Sequence, residues 1–187
     1  MNLCFAFEIM VKKNSYICIA TLVACVLFSS MIRADDTVAS ISELENATYS
    51  GLEDGPVSLL DGRWEGEPYV EGGASRPTAG LLDSVYYTGD IDGDGAQEAV
   101  VVLWTSGGGT GEYTYVMVMA RENGEIRNIG SALIGDRVTI KNGKIADKKI
   151  ILDVLQAGEN DPMCCPSMLA TRTWSLQNGQ LVEDEIQ

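Results

Sequence analysis

From Tyr49 onward the apolar positions come in short runs separated by tight-turn residues, a pattern of strands rather than helices. Val100 to Trp104 is a continuous apolar run, as expected of a strand buried on both faces. Tyr113 to Met119 is rich in β-branched and aromatic residues interleaved with methionine. Further strands are expected from Ile145 to Gln156 and from Thr171 to Leu176. Asn123-Gly124, Asn142-Gly143 and Asn178-Gly179 each stand between strand-like residues, and Asn-Gly readily takes the positive φ angles of a two-residue hairpin turn. Gly107 to Gly111 is expected to close a hairpin between strands at 99–105 and 112–121. Ahead of these, Ser40-Ile41-Ser42-Glu43 has capping-box spacing, so one short helix is expected within residues 37–47. The prediction is an all-β fold: an antiparallel meander of about seven to nine strands that closes as a barrel or packs as a two-sheet sandwich, because open edges need protection.

The first thirty-odd residues follow a different pattern. Lys12 and Lys13 precede an apolar run from Tyr16 to Leu27, and Ser29, Ser30 and Ala34 supply the small residues of a signal-peptidase site. Met10, just ahead of the lysines, is an alternative start that gives a more compact signal. Residues 1–34 are therefore expected to be a cleaved export signal, and residues 35–187 a single β-rich domain in the periplasm or secreted. Two alternatives compete. Leu22-Val23-Ala24-Cys25 resembles a lipobox that would anchor the protein through a lipid on Cys25, and the run to Met31 is a short candidate for a retained span. Removing the signal takes one acid (Glu8) and three bases (Lys12, Lys13, Arg33), so the net charge moves from −14 to −16. A field of that sign repels phosphate backbones and anionic lipid surfaces, which argues against nucleic-acid partners, and no membrane insertion is expected once the signal is cleaved.

The chain has no histidine. Ser-His-Asp and Cys-His nucleophile systems, HExxH zinc sites and His-ligated metals are thereby excluded. Carboxylate chemistry survives, but acids are so frequent that a pair can be drawn anywhere. No catalytic residue is assigned. Cys4, Cys18 and Cys25 leave with the signal, and Cys164-Cys165 remain in a compartment that permits disulfides. Neighbouring Cα atoms lie about 3.8 Å apart, below the usual ~4.4–6.8 Å of bridged cysteines, so a vicinal disulfide here would be a strained, easily reduced ring. Pro162 and Pro166 bracket it and favour a tight loop; two free thiols or interchain bridges are the alternatives. Gly107-Gly108-Gly109-Thr110-Gly111 lacks the Lys-Ser/Thr and the helix of a phosphate loop and reads as a flexible hairpin tip. Trp64, Trp104 and Trp174 suit sheet positions better than a sugar-stacking platform, and the Gly72-to-Pro77 loop reads as surface. Asn46-Ala47-Thr48 is a glycosylation sequon of consequence only in a eukaryotic secretory pathway.

The most specific motif is Asp90-Ile91-Asp92-Gly93-Asp94-Gly95-Ala96-Gln97-Glu98. Carboxylates at loop positions 1, 3, 5 and 9, with glycine at position 6, match the oxygen-rich coordination of a hard cation. Val101 stands at position 12, where an EF-hand carries a bidentate Glu, and the flanks read as strands. The loop therefore resembles the strand–loop–strand calcium loops of FG-GAP repeats. Asp90, Asp92, Asp94, Glu98 and the Ala96 carbonyl are the expected ligands of one structural Ca²⁺. The alternative is an Asp-Gly turn with no ion.

Asn46-Ala47-Thr48-Tyr49, the Gly89-to-Glu98 loop, Gly135-Asp136-Arg137, Asp161-Pro162-Met163-Cys164-Cys165-Pro166 and Thr171-Arg172-Thr173-Trp174 together resemble a family of uncharacterised exported bacterial proteins, some of which carry this domain beside a META domain. The resemblance implies a bacterial envelope location and brings no catalytic residues. The expected function is a calcium-stabilised, non-enzymatic accessory or binding module with an unidentified protein or small-molecule partner. The alternative is a carboxylate-based envelope hydrolase. N-terminal sequencing of protein from the envelope fraction should begin near Asp35; a lipid mass on a retained Cys25 would reverse that expectation.

Overall fold

The computed structural model describes residues 37–162 and 164–184. The expected export signal, with Cys25, lies outside them. A single helical turn, α1 (Ile41–Leu44), opens the described chain. Ser40 caps it: its Oγ accepts from Glu43 N, while Glu43 Oε2 accepts from Ser40 N at 2.9 Å, the reciprocal box expected from the sequence. Two short strands follow, β1 (Thr48–Tyr49) and β2 (Val57–Ser58), paired antiparallel.

The rest of the chain is all-β. Strands β3 (Arg63–Glu65), β4 (Thr78–Gly89), β5 (Glu98–Ser106), β6 (Tyr113–Glu122) and β7 (Glu125–Asp136) form one antiparallel sheet in sequence order. Strands β8 (Thr139–Ala146), β9 (Lys149–Gln156), β10 (Met168–Gln177) and β11 (Gln180–Glu183) form a second. The two sheets pack as a sandwich rather than merging into a barrel; β7 lies beside β11 and β4 beside β8, so the sheet edges are partly covered.

Alternation along β5 and β6 decides the layering. Val100, Val102, Val116 and Val118 pack against Ile150, Leu152, Val154 and Trp174 of the second sheet. Val101, Leu103, Tyr115, Met117 and Met119 point the other way, onto Ala39, Leu44, Tyr49 and Leu59 of the N-terminal segment. That segment is a third layer, so the central strands are buried on both faces and read as continuous apolar runs. Polar groups pin it down. Tyr49 Oη donates to Leu44 O at 2.8 Å, Tyr86 Oη donates to Ala39 O at 2.9 Å, and Arg121 reaches Thr37 O, Gly124 O and Glu43 Oε1.

Turn chemistry is met at two of the three Asn-Gly pairs. Asn123-Gly124 joins β6 to β7 and Asn178-Gly179 joins β10 to β11, each with both φ angles positive. The third differs: Asn142-Gly143 lies inside β8, just past a bulge at Lys141. Glycine is required there by a close approach, since a Cβ at Gly143 would sit 2.6 Å from Leu152 Cδ2 and 2.8 Å from the Tyr87 ring. The β8–β9 reversal occurs instead at Asp147-Lys148, both at positive φ, and divides the expected 145–156 strand in two. The Gly107–Gly111 tip does join β5 to β6, and it is tied down: Ser75 Oγ donates to Gly108 O at 3.0 Å and the Arg137 guanidinium to Thr110 O.

Glu43 joins the cap to Arg121, and these contacts set an acid dependence. The Ser40 backbone N–H, followed by Arg121, pulls its carboxyl down to about 2. A depressed folded pKa stabilises above the unfolded carboxylate range and is lost as pH falls from about 4.5 toward 2. Because the side chain is 41% exposed, the contribution is put at about 1 kcal/mol after screening. Denaturant titrations should show Glu43→Gln less stable by about that amount at neutral pH, with the gap closing near pH 2; a gap independent of pH would contradict the assignment.

Candidate metal centre

The acidic loop is the β4–β5 connection, as its strand-like flanks predict. Gly93 and Gly95 both adopt left-handed φ angles, +90° and +94°, which let the chain double back within nine residues. Each aspartate organises the next turn through one oxygen. Asp90 Oδ1 accepts from Gly93 N at 2.6 Å, Asp92 Oδ1 from Asp94 N at 2.9 Å, and Asp94 Oδ1 from Ala96 N at 2.7 Å. Ile91 points inward and is buried in the core between the sheets, so its two aspartate neighbours are turned outward.

Glu98, the first residue of β5, closes the loop. Its Oε2 accepts from Ile91 N at 2.7 Å and from Asp92 N at 3.4 Å. Carboxylate oxygens of Asp90, Asp92 and Glu98 come within 4.8 Å of one another. Asp94 is not in that group; it is exposed, with one oxygen spent on Ala96 N. Glu98 is only 2% exposed, the one buried carboxylate among the described residues. Burial pushes its carboxyl above the usual range, with the charges of Asp92 and Asp94 adding to the effect and the two backbone N–H groups opposing it. A triad of oxygen ligands with a desolvated member is suited to a hard cation, which would supply the positive charge that the site's own N–H dipoles only partly provide.

One neighbour was not foreseen from the sequence. A side chain at Gly93 would run into the Lys148 ammonium, which the β8–β9 turn brings across the loop. Lys148 thus lies against the loop from some fifty positions away in sequence, and nothing in the local spacing signals it. The remaining candidates lie apart from the loop. The sulfurs of Cys164 and Cys165 sit at disulfide distance in the β9–β10 connection. Asp161 closes that connection by accepting from Gly158 N, Ser167 N and Ser167 Oγ. The three tryptophans share no platform: Trp174 is buried between the sheets, while Trp64 and Trp104 belong to opposite faces of the first sheet. The Gly72-to-Pro77 loop lies against the β5–β6 tip through Ser75. No family model, no curated protein and no solved structure matches this chain, so the site is read from its own residues.

The geometry separates charge from shape at Glu98. Glu98→Gln keeps an oxygen for Ile91 N–H and removes a disfavoured charge. In chelator its melting temperature should equal or exceed that of the wild type, by up to ~4 °C for about 1 kcal/mol in a domain of this size. A drop of several degrees would mean that the charge itself holds the loop.

Proposed function

We propose that this chain is an exported, non-enzymatic β-sandwich module of the bacterial envelope whose β4–β5 connection binds one calcium ion in a structural role. The observation that carries the metal reading is the convergence of Asp90, Asp92 and Glu98 within 4.8 Å around a buried carboxylate. Asp94 and the Ala96 carbonyl complete the proposed oxygen set. The ion offsets the burial and neighbouring charge that lift the Glu98 carboxyl, and it fixes the entry to β5, the central strand of the first sheet.

Export is supported by the N-terminal sequence pattern, and an envelope setting by the motif resemblance. The acidic charge supports a partner other than nucleic acid. The rival, a carboxylate hydrolase, needs an acid that meets substrate. Glu98 is buried, and both backbone donors converge on a single oxygen of its carboxylate, so a structural role suits it better than proton transfer to a bound molecule.

Thermal melts with calcium and with chelator, on wild type and on Asp92→Ala, test the proposal. Binding to the folded state alone adds about 2.7 kcal/mol at a calcium concentration ~100 times the dissociation constant. Exported modules often bind at only about 10⁻⁴–10⁻³ M, so the titration must reach tens of millimolar. Wild type should gain stability with calcium, and Asp92→Ala should lose most of that gain. An unchanged wild-type melt in chelator, together with no calorimetric heat at those concentrations, would make the loop an ordinary turn.

A further inference from the structure

A groove of different chemistry opens on the far side of the first sheet, where β3, the start of β4, the end of β5 and the start of β6 come together. Buried Ala79 and Tyr115 form its floor. Half-buried Trp64 and exposed Tyr113 flank it, and Glu53 and Asp54 from the β1–β2 connection stand at the rim. No lysine or arginine lines it. Neither rim carboxylate forms an ion pair among the described residues, although seven other ion pairs occur there.

Three features narrow the occupant. The cavity measures about 90 Å³, more than one water occupies but below the ~150 Å³ that houses a benzene ring. Space of this size takes the end of a chain, with the remainder lying along the open groove. Aromatic Trp64 and Tyr113 beside the carboxylates of Glu53 and Asp54 favour a cation with an apolar stem over a bare metal ion. At the floor, burial raises the Tyr115 phenol, hydrogen bonds to the Glu53 backbone and Thr105 oppose the rise, and the charges of Glu53 and Asp54 add to it.

We propose that this groove binds a primary alkylammonium group, with its methylenes between Trp64 and Tyr113 and its charge against Glu53 and Asp54. The chemistry is shared by a free alkylamine and by a lysine side chain of a partner. This deepens the binding-module reading by giving it a ligand class, and it is independent of whether the β4–β5 loop holds calcium.

Calorimetric titration of the purified protein at neutral pH, with calcium present, is the test. Pentylammonium should bind saturably at one site, and 1-pentanol at least about tenfold more weakly. Glu53→Gln/Asp54→Asn should weaken pentylammonium about tenfold and Trp64→Leu severalfold, while the melting temperature of the double carboxylate variant stays close to wild type. A blocked lysine, N-acetyl-lysine methylamide, distinguishes the sources: tighter binding than pentylammonium assigns the groove to a polypeptide, weaker binding to a free amine. The proposal is overturned by absence of saturable pentylammonium binding, by equal affinity for pentanol, or by full affinity in the double variant. None of these outcomes bears on the calcium melts, which succeed or fail separately.

Discussion

Burial of β5 and β6 on both faces is the constraint on which the rest of this molecule depends. An antiparallel sheet usually keeps one face in water. Here Val100, Val102 and Leu103 are fully buried, and so are Val116, Met117 and Val118. Burying one face requires the second sheet, and burying the other requires the segment from Ala39 to Leu59. Neither partner layer would be dispensable, since removing either exposes a stripe of valine, leucine and methionine at about 25 cal/mol per Å².

The acidic loop is coupled to that core by its own residues. Ile91 anchors it between the sheets, and Glu98 is at once the last loop residue and the first of β5. A carboxylate at the edge of an apolar layer is costly unless charge or dipoles answer it. Two backbone N–H groups answer part of the need. The loop therefore balances two demands, turning the chain tightly and compensating a desolvated anion. Both are met by the same few residues.

Much of this was legible in the sequence because it is local. The capping box at Ser40 and Glu43, the turns at Asn123 and Asn178, the unbroken run of β5, and the spacing of Asp90, Asp92 and Glu98 all lie within a dozen residues of their cause. What was misread or missed depends on distant neighbours. Asn142-Gly143 has the composition of a turn, but Leu152 and Tyr87 leave room only for glycine at that point in a strand. The true turn uses Asp147 and Lys148, and lysine is not a usual choice for the second of two successive positive φ angles. The aromatic groove draws on residues from Leu52 to Tyr115, and no single stretch carries its signature.

The N-terminal layer is also held by partners far along the chain. Thr37 is held by Arg121, a partner 84 positions later, and Ser50 is held by Asn128, 78 positions later. The first part of the domain to be made thus has no surface to rest on until β6 and β7 exist. Closing so long a loop carries an entropic cost that local contacts cannot meet in advance, and contacts distant in sequence slow folding. The surface that receives the beginning of the domain is completed only when β6 and β7 have been made.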